Sequence, residues 1–162
     1  MTAADSEHFA VVVYREGGSW SAGLLPERLA EDLDGLLAAL RQQPGEGGPI
    51  GLVNVADEFF VAVRLGAGQP RILLSDVTAA ADWDLARQAV DRLGVPAPSD
   101  DDLDDVRPVG DMSIFADMGL DEMELGAILG DLDAYADEML ATLATRLGFG
   151  PSYEQVVEAA VR

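Results

Sequence analysis

The side chains here that could carry out chemistry form an unbalanced set: one histidine, His8, and 30 aspartates and glutamates, against ten arginines, with no lysine and no cysteine. A catalytic zinc site built from His-x-Glu and Pro-Cys-x-x-Cys elements needs three donors for the metal and a separate glutamate to move protons. One histidine without any thiolate cannot supply it. Nucleophilic catalysis with a histidine base would have to use His8. Its place at the head of the apolar run HFAVVVY, residues 8–14, reads as an ordinary strand-edge or surface histidine.

Carboxylates are the remaining chemical resource. The run DDDLDD places Asp100, Asp101, Asp102, Asp104 and Asp105 together, but an EF-hand loop counted from Asp100 needs glycine sixth and glutamate twelfth. Asp105 and Asp111 stand there, so no dedicated metal site is expected. Asp57, Glu58 and Asp76 could converge as a hydrolase would require, although nothing in their spacing demands it. The glycines of residues 45–51 (GEGGPIG) precede a strand and lack the Gly-Lys-Ser/Thr ending of a phosphate loop, so they form a connector. Residues 116–125 (ADMGLDEMEL) resemble the carrier-protein motif whose serine bears a phosphopantetheine arm. Glu122 holds the serine's place and cannot be the attachment hydroxyl. No cofactor is expected.

A formal charge of −20 repels phosphate backbones, which excludes direct nucleic-acid and anionic-membrane binding and makes a basic protein the natural partner. Excess acid also serves plain solubility. Residues 1–7 are polar and acidic, unlike a secretory leader, and no apolar stretch approaches the roughly 18 residues needed to span a bilayer. A cytoplasmic, non-enzymatic protein is the expectation, its oligomeric state open. Candidate partner-binding residues are Trp83 with its flanking Asp82 and Asp84, the acidic run Asp100, Asp101, Asp102, Asp104 and Asp105, and Met123. For Trp83 the competing reading is a core tryptophan between two solvated carboxylates.

These residues must be positioned by an α+β fold. Residues 8–14 and 20–25 read as a hairpin, and Leu29, Leu33, Leu36, Leu37 and Leu40 follow at helical spacing. Residues 50–55, 59–65 and 71–75 read as three short strands joined by hairpin-length connections. Ser75 or Asp76 caps a second helical region ending at Gly94, with a break at Trp83. The order β-β-α-β-β-β-α matches small profilin-like or longin-like domains with an antiparallel sheet of about five strands. Residues 1–95 are expected to form this sheet domain, 96–110 an acidic, extended Pro/Asp-rich linker, and 111–162 a helical unit that can pack back on the sheet. Within that unit, Asp121 with Glu124, Asp133, and Ser152 with Gln155 are expected helix starts. Phe59 and Phe60 are adjacent on a strand, so both bury only if the sheet is covered on both faces.

Three stretches together resemble the actinobacterial family of tRNA adenosine deaminase-associated proteins: residues 47–64 (GGPIGLVNVADEFFVAVR), 73–86 (LLSDVTAAADWDLA) and 110–150 (GDMSIFADMGLDEMELGAILGDLDAYADEMLATLATRLGFG). The resemblance implies a protein encoded beside the deaminase that makes inosine at the tRNA wobble position, without catalytic residues to carry over. It therefore points to an accessory protein acting through protein contacts, with tRNA adenosine deaminase as the basic partner. The alternative is a small-molecule sensor with an apolar pocket between sheet and helices.

Overall fold

Period-two alternation of large apolar residues builds a sheet that is buried on both sides. The computed structural model describes residues 8–43, 48–66, 68–131 and 133–160. The polar start, residues 1–7, and the middle of the glycine-rich connector lie outside them. In chain order the strands are β1 (Phe9–Glu16), β2 (Ser19–Leu25), β3 (Ile50–Val55), β4 (Phe59–Arg64), β5 (Arg71–Leu74) and β6 (Val109–Gly110). They form one antiparallel sheet in the order β2-β1-β3-β4-β5-β6. The helices are α1 (Leu33–Arg41), α2 (Asp84–Leu93), α3 (Glu122–Leu129), α4 (Ala136–Leu147) and α5 (Gly150–Ala160).

One face of the sheet presents Ala10, Val12, Val53, Val55, Phe59, Val61, Val63, Ile72 and Leu74. Leucines 33, 36, 37 and 40 of α1, with Leu85, Ala86, Ala89 and Val90 of α2, close over it. The opposite face presents Phe9, Val11, Val13, Ile50, Leu52, Phe60, Ala62 and Leu73, and the helices of the C-terminal segment cover it through Leu125, Leu129, Leu140, Leu143, Leu147 and Tyr153. The α+β class and the antiparallel meander thus hold. Helices lie on both faces, which is why Phe59 and Phe60 are 1% and 0% exposed although their rings point apart.

Local departures from the expected elements have local causes. The leucine helix divides at Asp32: a 3-10 turn, Glu27–Glu31, comes first, and α1 starts where the Asp32 carboxylate accepts the Gly35 amide hydrogen. An unpaired helix N-terminus gains most from such a cap. The second helical region breaks at Trp83, as its flanking aspartates foretold, into a 3-10 turn capped by Asp76 and helix α2. Asp121 caps α3 through the Glu124 amide, whereas α4 begins at Ala136 after Tyr135 instead of at Asp133. Ser152 lies inside α5, where its hydroxyl donates to the Trp20 carbonyl.

The acidic stretch is not uniformly extended. Asp100–Asp102 form a single 3-10 turn held by the Ser99 hydroxyl, which donates to the Asp102 carboxylate at 2.8 Å. A sixth strand, β6, then pairs with β5 through Val109 and Gly110. Gly110 has φ 114°, and a Cβ there would lie 2.3 Å from the Ile72 carbonyl oxygen, so no other residue fits. Two residues are too few to show strand periodicity, which hides β6 in the sequence.

Candidate functional site

The sequence-nominated residues occupy different parts of the surface. Trp83 is half-buried against the first core, its ring 6.3 Å from Phe59 and 5.9 Å from His8, edge-on to the latter. Asp82 and Asp84 beside it are exposed, and Asp84 pairs with Arg87 one turn on. A recess of about 120 Å³ lies between His8, Glu31, Asp82, Trp83 and Asp84. The histidine's Nδ1 is buried with no hydrogen-bond partner among the described residues.

Asp100, Asp101, Asp102, Asp104 and Asp105 are all exposed, on the path from α2 to the edge strand β6. Arg107 pairs with Asp105 at 3.2 Å. Met123 stands on the first turn of α3 and is 84% exposed. Trp83 and Met123 therefore belong to elements packed on opposite faces of the sheet, and one flat contact patch centred on both is not formed. Glu122, in the position where a carrier protein has its serine, accepts the Ser113 hydroxyl at 2.6 Å.

A convergence that sequence spacing did not require is built around the β3–β4 turn. Asp57, Glu58 and Asp76 line one groove of about 270 Å³ together with Val106, Tyr135 and Met139. Ala56 and Asp57 carry φ of 54° and 58°, the left-handed region that β-hairpin turns usually fill with asparagine or glycine. Buried Asn54 fixes the turn: its amide donates to the Asp57 carboxylate at 2.8 Å, and its own side-chain oxygen accepts the Asp57 backbone N–H. The turn is also tied to the start of α4, since the Ala136 amide donates to the Asp57 carbonyl.

Asp137, next along α4, has its carboxyl pushed above the ordinary aspartate range, first by burial and then by the negative charge of Asp57. Tyr153 of α5 is 2% exposed, its ring 6.4 Å from Phe9, with a hydroxyl that has no hydrogen-bond partner among the described residues. Burial, followed by Asp137 and Asp57, raises its hydroxyl far above the usual tyrosine value. Nothing in the sequence connects Asp57 with residues some 80 to 100 positions later; only the docking of α4 and α5 on the sheet does.

Cations are engaged elsewhere. Arg64, almost fully buried on β4, donates to both carboxylate oxygens of Asp117 and to the Ile114 carbonyl. Arg71 bonds Asp111 and the Ser113 carbonyl, and Arg146 pairs with Glu124. Arg15 lies 5.7 Å over the Trp20 ring, at the rim of a depression of about 450 Å³ that Arg64 and Asp117 also line. Ten arginines cannot neutralise 30 acids. No group of three or more His, Asp or Glu residues able to hold a metal ion occurs among the described residues.

All six strands and helices α1 to α4 fall within the span of a family signature. Residues 8–150 match the family model described as Rv3753c-like tRNA adenosine deaminase-associated protein. The chain belongs to that family. Protein Rv3753c of Mycobacterium tuberculosis (strain ATCC 25618 / H37Rv) is 38% identical over 159 residues, covering 96% of this chain and 91% of the relative. No solved structure matches the chain. Among the described residues no helix is long and apolar enough to cross a membrane.

Proposed function

We infer that this protein works by being bound, as an acidic accessory protein whose partner is a basic protein, with tRNA adenosine deaminase the foremost candidate. The observation that carries the reading is the excess of exposed carboxylate over arginine within a family described by its association with that enzyme. A tRNA-binding enzyme presents a cationic surface, and a −20 chain is drawn to it from a distance. The exposed aspartates of residues 100–105 and the acidic groove at the β3–β4 turn are the surfaces best suited to such contact. The setting is the cytoplasm, where a partner acting on tRNA is accessible.

Turnover is not part of this reading. His8 packs against Trp83, and its Nδ1 has no hydrogen-bond partner among the described residues. Co-purification with the deaminase at physiological salt, together with deamination assays of the mixture, tests the proposal. Recovery of a complex whose affinity falls as salt rises supports it; no complex and an unchanged deamination rate overturn it.

A second reading is a small-molecule sensor with an apolar pocket between sheet and helices, for which the groove lined by Phe59, Val106, Leu129 and Met139 is the candidate. A ligand-dependent rise in melting temperature would support that reading.

A further inference from the structure

Helix α3 is more apolar than its place in the core requires. Met123, Leu125, Ala127, Ile128 and Leu129 make most of it apolar, yet only Leu125 and Leu129 are fully buried. Met123 and Ala127, one turn apart on the side away from those two leucines, are both exposed, Met123 at 84%. A helix apolar on both faces calls for a layer packed on each. Beside this face, Ala127, Ile128, Ala134, Met139 and Thr142 line a groove of about 340 Å³ between α3 and α4. The Thr142 hydroxyl donates to the Glu138 carbonyl at 3.0 Å, so its polar group is already satisfied. At Ala134 and Met139 the groove continues into the one at the β3–β4 turn, where Val106 and Tyr135, 46% and 66% exposed, add apolar surface. Three of the large exposed apolar side chains, Val106, Met123 and Tyr135, thus lie on or beside one trough. Grouped apolar exposure of this kind marks an interaction site, whereas scattered single residues do not.

The rim of the groove is anionic. Asp131 and Glu138 line it, and each is fixed by a backbone amide: one Asp131 oxygen accepts the Asp133 N–H at 3.1 Å, and one Glu138 oxygen accepts the Tyr135 N–H at 3.0 Å. No arginine lines either groove, and Arg146, the one cation on α3 and α4, pairs with Glu124.

We propose that the α3–α4 groove docks an amphipathic helix of a basic protein partner, its apolar side chains seated on Ala127, Ile128 and Met139 and its flanking arginines or lysines against Asp131 and Glu138. The flexible thioethers of Met123 and Met139 can mould to such a helix face. Charge complementarity selects this occupant. A second copy would bring the acidic rims of two −20 chains together, which opposes association, and a neutral helix would forgo the pairing with the rim.

This inference rests on the accessory reading and deepens it by naming the contact surface. Two synthetic helical peptides with leucines at i, i+3, i+4 and i+7, one with arginines and one with glutamines at its polar positions, are titrated into the full chain and followed by backbone amide NMR. The arginine peptide is expected to shift Ala127, Ile128, Ala134, Met139 and Thr142, and to bind about tenfold more tightly than the glutamine peptide. Ala127→Arg, at an exposed helical position that accepts arginine, puts bulk and positive charge into the groove and should weaken binding about tenfold. Leu24→Arg, which adds the same charge at an exposed position on β2, should leave binding nearly unchanged. Shifts spread over the whole acidic surface, equal binding of the two peptides, or an Ala127→Arg variant that binds like wild type would overturn the proposal. So would a dimer of the chain alone that Ala127→Arg dissolves, which would assign the groove to a second copy. A deaminase complex formed equally well by wild type and Ala127→Arg overturns the groove and leaves the accessory reading standing. Peptide binding as described without any deaminase complex supports the groove and removes the deaminase as its occupant.

Discussion

Arg64 and Asp117, 53 positions apart, form a two-pronged ion pair that joins the end of β4 to the segment leading into α3. Arg64 is 8% exposed and also donates to the Ile114 carbonyl, so the sheet and its C-terminal covering are pinned at a defined register. Asp117→Asn keeps the shape and removes the charge. Because the aspartate side chain is largely solvated, the expected loss is only about 1–2 kcal/mol in denaturant unfolding. Asp117→Ala, which leaves the buried guanidinium without its fork, should cost more.

Acid lability follows from the same pairs. Hydrogen bonds from Arg71 and Arg64 hold Asp111 and Asp117 below the ordinary aspartate value of 3.8. A carboxyl with a lower value folded than unfolded contributes stability above the unfolded value and loses it as pH falls through the folded one. Stability should therefore decline below pH 3.8, and Asp111→Asn with Asp117→Asn should flatten that limb of a melting-temperature profile.

Asp137 has the opposite sign. Its carboxyl is raised above 3.8, so the folded chain binds the extra proton and stability falls as pH rises through the window above that value. Asp137→Asn is expected to raise the melting temperature at pH 7, with the gain shrinking towards pH 4, and calorimetry across that range reads it.

The β3–β4 turn should be improvable. Ala56→Gly relieves the left-handed strain at φ 54° and should stabilise by about 0.5–1 kcal/mol, after allowance for the greater freedom of glycine in the unfolded chain. Thermal unfolding checks it, and an unchanged midpoint would show that the turn carries no strain.

Asp100, Asp101, Asp102, Asp104 and Asp105 are exposed, and changing all five to asparagine should alter stability by less than about 0.5 kcal/mol each. Their effect should lie in encounter with a basic partner: an association rate about tenfold slower at low salt, with a shallower salt dependence, measured by stopped flow.

The opposite-facing burial of Phe59 and Phe60 shows how far the sequence reached. Adjacent phenylalanines on a strand required covering on both sides, and the amphipathic segments after residue 110 offered the only apolar material to supply the second layer. Alternation, helical spacing, the caps at Asp76 and Asp121 and the stop at Gly148 are local physics, set by residues within a turn or two of each other. Composition likewise determined the charge and excluded thiolate and multi-histidine chemistry without any coordinates. What tertiary structure alone decided is which distant groups meet. The two-residue strand β6 forms because β5 offers it an edge. The Asp57 carbonyl meets the Ala136 amide because α4 docks on one face of the sheet, and burial of apolar surface, which drives that docking, is non-directional and leaves no spacing in the sequence to announce which polar groups it will bring into contact.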